Sequence, residues 1–148
     1  MGYYPIFVKT INMPTSIVKY LGGLRTEAIH VQSGTVIQTD APKDNHGKGE
    51  AFSPTDLFAT SLATCILTTI AIKASQDGMM TIDGASAEVL KVMYPEPRRV
   101  GEVHVKVTFP KKNYSDKEKK IYEHTAHHCP VARGLHPDLK QVIEFAWL

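Results

Sequence analysis

Two cysteines, Cys65 and Cys129, are the residues of this chain best suited to chemistry, because a thiolate attacks electrophiles and a pair of thiols can close and reopen a disulfide. Cys65 lies inside the apolar run Ser61-Leu62-Ala63-Thr64-Cys65-Ile66. Taken alone it reads either as a small buried hydrophobe or as a nucleophile. A thiol in mid-helix forfeits the helix N-terminal dipole that commonly favours thiolate, so a reactive Cys65 needs a separate cation. Arg25 is the candidate, and Arg133, four residues beyond Cys129, is the alternative. Cys129 sits in His127-His128-Cys129-Pro130, where a proline halts a helix. One thiol in a buried helix and one at a helix end suit a peroxidatic and a resolving partner. The same segment offers His124, His127 and His128, with the i, i+4 spacing of His124 and His128 placing two imidazoles on one helix face. A zinc or copper site needs three or four converging ligands, and no CxxC or second His-rich stretch supplies them. No metal is expected. His127 or His128 could instead tune the Cys129 thiol, or all three could be ordinary helix-end histidines.

The elements that must position these residues are readable from periodicity. Short β-type runs at 16–20, 26–32 and 35–39, separated by Gly22-Gly23 and Ser33-Gly34, predict a meander. The polar stretch 40–51 has turn residues and no periodicity, so it is a loop, long enough to be functional and able to carry Glu50 to a site. Ser53 as N-cap, Pro54 at the first helical position and Asp56 in the first turn open a helix that runs to about Gln76, apolar on nearly every face. Strands are predicted at 85–93 and 100–109, joined by Tyr94-Pro95-Glu96-Pro97. Ser115-Asp116-Lys117-Glu118 resembles a capping box that starts a second helix ending near His128. A short helical turn at 131–134 and a strand at 141–147 complete the chain. Strands, a long buried helix, more strands and another helix predict an α+β fold with antiparallel sheet. A helix apolar all round is poorly covered by one small sheet, which predicts an obligate homodimer with the two long helices packed together.

Composition narrows the class. At 148 residues and 43% apolar content, one domain over 1–148 can bury a core without staples. Seventeen basic and fifteen acidic residues are interspersed, which argues against nucleic acid as a partner. The N-terminal residues 1–15 carry no basic region followed by an apolar core, and no apolar run is expected to approach the roughly 20 residues of a membrane span. The expectation is a soluble, cytoplasmic protein without membrane contact, in a compartment where thiols stay reduced and cysteines are not structural staples. Without GxGxxG, P-loop or CxxC, no nucleotide or flavin cofactor is expected.

Several of these segments, in this order, resemble the OsmC/Ohr family of organic hydroperoxide reductases. Ser53-Pro54-Thr55-Asp56-Leu57-Phe58-Ala59 followed by Ser61-Leu62-Ala63-Thr64-Cys65 is similar to the family's helix motif, which leads to its reactive cysteine. Cys129-Pro130-Val131-Ala132 is similar to its second cysteine motif, and Leu24-Arg25-Thr26-Glu27 stands where the family carries an arginine on an early strand. The resemblance implies an α+β fold, antiparallel sheets around a long central helix, an intertwined homodimer, and two cysteines cycling between dithiol and disulfide. It further implies that Cys65 attacks the peroxide, that Cys129 closes a disulfide with it, and that a dithiol such as a lipoyl protein or dihydrolipoamide restores both. A guanidinium at Arg25 would favour the thiolate and donate to the peroxide oxygens. Phe58, Leu62 and Ile66 would offer an apolar wall to an organic peroxide. One departure stands out. Where characterised members place a Glu after the motif's proline to orient the arginine, this chain has Thr55, leaving Asp56, Glu50 and Glu27 as candidate orienting acids.

Two other classes stay open on sequence. A non-enzymatic redox sensor or small-ligand carrier on the same scaffold would keep a reversible disulfide without turnover, and Thr55 is the feature that favours it. A metal-binding protein using the His124 to Cys129 cluster would be settled by elemental analysis of purified protein.

Overall fold

The β-branched runs at the start of the chain pair as the meander their turn residues predict. A computed structural model describes residues 13–148, so the part of the N-terminal reading that rests on 1–12 lies outside the described residues. The contacts group into two compact units, Met1–Pro54 and Thr55–Leu148.

In the first unit, β1 (Ser16–Gly22), β2 (Arg25–His30) and β3 (Val36–Asp40) form a sheet in that order, both pairings antiparallel. β3 runs one residue further than its alternation suggests, and that residue, Asp40, lies directly opposite Arg25. One register step nearer the middle of the sheet, the hydroxyls of Thr26 and Thr39 meet at 2.5 Å. Among the described residues of this unit the buried side chains are polar: Thr39, Asp40 and Ser53. Ile17 and Val18, neighbours on β1 and therefore on opposite faces of the sheet, are 50% and 60% exposed.

The second unit holds the hydrophobic core. α1 (Pro54–Gln76) starts at the proline the sequence singles out and contributes one stripe, Ala59, Leu62, Ala63, Ile66, Ile70 and Ala74. That spacing of three and four residues keeps one helix face turned inward. The length expectation needs correcting here: α1 is long and apolar enough, by length and composition, to cross a membrane. Its Ser and Thr residues interrupt the apolar run without adding charge, while Asp56 and Lys73 lie near the ends. A core helix meets the same criterion, and this one gives its stripe to a sheet.

That sheet has the order β4 (Ser86–Pro95), β5 (Arg98–Phe109), β6 (Lys140–Trp147). β5 alternates cleanly, with Val103, Val105, Val107 and Phe109 buried against α1's stripe in one cluster. The β4–β5 pairing is antiparallel and β5 and β6 run parallel, so this sheet is mixed where the first is antiparallel throughout. Parallel neighbours need a crossover, and α2 (Asp116–His127) with α3 (Pro130–Gly134) supplies it. The capping box is present: Ser115 Oγ accepts from the Glu118 N–H at 3.2 Å, and Glu118 Oε2 accepts from the Ser115 N–H at 2.8 Å. Glu118 Oε1 takes the Met80 N–H at 2.8 Å while the Tyr122 hydroxyl donates to the Met80 carbonyl at 2.5 Å, so one helix grips both polar groups of Met80. Phe109 stacks on Trp147 with ring centroids 3.9 Å apart, and Tyr114 and Tyr122 complete the aromatic end of the core.

Candidate functional site

Cys129 is placed by the chain break its proline enforces. Ahead of Pro130 the residue is held extended, at φ −65° and ψ 154°, which ends α2 and makes Cys129 the N-cap of α3. Its sulfur accepts the Ala132 N–H at 3.4 Å and is fully buried. Cys65, on α1, is partly exposed, and its sulfur lies 3.8 Å from the Thr69 hydroxyl one turn on. Both thiols are free; burial raises the Cys129 pKa most, the Ala132 N–H opposes this, and the influence of Cys65 raises it further. Burial thus favours the protonated form of the Cys129 thiol.

The histidines face elsewhere. His128 and His124 stack at 4.1 Å, with His128 Nδ1 2.7 Å from the His124 carbonyl, and His127 meets the Phe145 ring edge-on. Besides burial, the groups acting on the Cys129 thiol include Cys65 and the Ala132 and Val131 backbone N–H groups. Among the described residues no group of three His, Cys, Asp or Glu side chains converges as metal ligands do.

Of the apolar residues read as a substrate wall, Leu62 and Ile66 are fully buried in the core. Phe58 is exposed and stands one heptad before Cys65, on the same helix face, with exposed Ile72 one heptad after it.

In the first unit Arg25 is ion-paired to two carboxylates, Glu50 in direct contact and Asp40 at 3.5 Å. Of the three acids considered for Arg25, this is where Glu50 lies; Glu27 is on β2 opposite Lys19 and Gln38. Asp56 instead binds Lys91 Nζ at 2.7 Å, and the same ammonium donates to the Thr55 hydroxyl at 2.8 Å. Thr55 and Asp56 thus make a small cation site at the start of α1, filled from β4. Sequence reasoning passed over both Asp40 and Lys91. The available signal for Asp40 was an acid ending a strand in antiparallel register with one that begins at an arginine.

The chain matches the family model described as OsmC-like protein over residues 47–143. It belongs to the OsmC family. Among solved members, a Psychrobacter arcticus protein provisionally assigned to osmotic stress induction and the detoxification response is 54% identical, with 93% of this chain and 99% of that one covered and a TM-score of 0.86. A Legionella pneumophila organic hydroperoxide resistance protein OsmC is 21% identical over 91% of this chain and 98% of that one, with a TM-score of 0.69. The Bacillus subtilis organic hydroperoxide resistance protein OhrB is 18% identical over 88% and 97%, with a TM-score of 0.61. These two share the OsmC fold with this chain. No curated protein matches it.

Proposed function

We propose that this OsmC-family chain is a cysteine-based peroxidase that reduces organic hydroperoxides with electrons from a dithiol. The observation that carries the reading is a pair of free thiols, Cys65 partly open on α1 and Cys129 buried at the start of α3, with Cys65 among the groups that raise the Cys129 pKa. In the first step the Cys65 thiolate attacks the terminal peroxide oxygen. The O–O bond breaks, the alkoxide leaves and takes a proton to become the alcohol, and Cys65 becomes a sulfenic acid. Cys129 then attacks that sulfur, water leaves, and a disulfide forms. An external dithiol, such as dihydrolipoamide or a lipoyl protein, returns both thiols by exchange. Arg25 is the proposed cation for the thiolate and the departing oxygen, with Glu50 as its orienting acid; Phe58 is the proposed contact for the organic tail.

The proposal includes a homodimer. Apolar side chains exposed on both faces of the first sheet, and the exposed Phe58–Ile72 face of α1, are surfaces a second copy would cover. Cytoplasmic location is part of the same reading, since the cycle starts from reduced thiols.

Reduced protein mixed with an organic hydroperoxide and dihydrolipoamide should consume peroxide catalytically and, without the dithiol, lose two hydrogens from its intact mass. Cys65→Ser should abolish consumption, and Cys129→Ser should stop at a sulfenic acid. Stoichiometric oxidation without turnover would support the redox sensor or carrier, the reading favoured by Thr55, whose hydroxyl accepts from Lys91 where a glutamate would carry charge.

A further inference from the structure

The loop between β3 and α1 is built, not slack, and its neck is closed twice by Asp40, whose N–H donates to the Phe52 carbonyl at 3.1 Å and whose side chain takes a backbone N–H of the returning strand of chain. The Gly49 N–H donates to the Ala41 carbonyl at 3.1 Å and the Gly47 N–H to the Pro42 carbonyl at 3.0 Å, so the chain folds back on its own start. Gly47 passes so close that a Cβ there would lie 1.7 Å from the Ala41 carbonyl oxygen. Where the loop returns, Asp40 Oδ2 accepts the Glu50 N–H at 2.9 Å. The same oxygen lies 3.5 Å from Arg25 Nη2, and the Asp40 side chain has no solvent exposure. Its second oxygen, Oδ1, is buried without a hydrogen-bond partner among the described residues. A carboxylate is costly to bury, and what holds this one in place is the loop's return and the arginine. One oxygen therefore fixes two things at once: where the backbone of residue 50 sits, and which way the guanidinium points.

We infer that Asp40 is the positioning residue of the arginine site, tying the Glu50 backbone to the β2–β3 sheet so that the Glu50 carboxylate stays against Arg25. The inference rests on the peroxidase reading for its catalytic consequence but not for the clamp itself. In the family motif the orienting acid follows the proline directly and is carried by the helix. Here the acid comes from a loop, and a loop-borne carboxylate needs an anchor to give the same rigidity.

The test compares wild type, Asp40→Asn, Glu50→Gln and the double variant in the full-length protein. Two quantities are read: the second-order rate of Cys65 oxidation by an organic hydroperoxide, and the exchange rate of the Glu50 backbone amide. Asn keeps the shape and an acceptor but removes the charge, and circular dichroism confirms that each variant is folded. Expected are a rate fall on the order of 10- to 100-fold in Asp40→Asn, as for loss of orientation at a reacting centre, and faster exchange at the Glu50 amide. The double variant should be no slower than the slower single one, because both act through one ion pair. A lowered melting temperature with an unchanged oxidation rate overturns the inference, as do rate effects that add. If the wild-type protein does not react with peroxide, the peroxidase reading fails separately, and unchanged Glu50 exchange in Asp40→Asn overturns the clamp.

Discussion

At the residue scale, the pair of cysteines is asymmetric for a reason that lies in their neighbours. Cys129 is enclosed and accepts the Ala132 N–H; burial wins over that N–H, and its pKa rises above the ordinary 9.0. A raised thiol pKa favours the protonated folded form, so the associated stability is fully present below the ordinary value and is lost as pH rises through the folded one. In the folded protein near neutral pH, iodoacetamide should therefore label Cys65 first, with Cys129 reacting only in alkali or on unfolding. Peptide mass mapping checks the order, and equal labelling of both would contradict it. The two cysteines could be singled out in the sequence by residue type, and Arg25 by its place in the order of family motifs. Asp40 and Lys91 could not, since each acquires its meaning from a residue fifteen or more positions away in the chain, Arg25 in one case and Thr55 with Asp56 in the other.

At the element scale, helix starts were legible and strand direction was not. Ser115 to Glu118 writes its own hydrogen bonds into four adjacent residues, and Pro54 can stand only at a helix's beginning. Nothing local in 140–147 says which way β6 must run beside β5; the length of the intervening helices decides it. Glu118 caps α2 and also holds Met80. Accepting the Met80 and Ser115 N–H groups lowers its carboxyl pKa below the ordinary 4.5. The stability this gives is present above that value and drains away as pH falls through the folded pKa. Glu118→Gln keeps the capping geometry without the charge, so its urea midpoint should lie below wild type at neutral pH and the gap should narrow in acid. Tyr122→Phe removes the donor to the Met80 carbonyl and should cost about 1–2 kcal/mol by urea denaturation. Gly47→Ala should force the 41–49 loop open, speeding exchange at the Gly49 amide while β1–β2 pairing persists.

At the scale of the whole molecule, the two units differ in what holds them. Thr55–Leu148 has a cluster of buried aliphatic and aromatic side chains, whereas the described part of Met1–Pro54 buries only Thr39, Asp40 and Ser53. A dimer should therefore be visible by analytical ultracentrifugation, and Val18→Lys with Ile17→Asp should weaken it while leaving the second unit's near-ultraviolet signal intact. A monomer for the unaltered chain would contradict the dimer. The three-stranded sheet, with Ile17 and Val18 exposed on its opposite faces, also bears on how the chain reaches its native state. A sheet whose described residues bury only polar side chains has little reason to persist until something covers it, so its formation should be a second-order event. Dilution should then lower the melting point and slow refolding of the segment that carries Arg25, Asp40 and Glu50, so that the arginine cluster matures only after two chains have met.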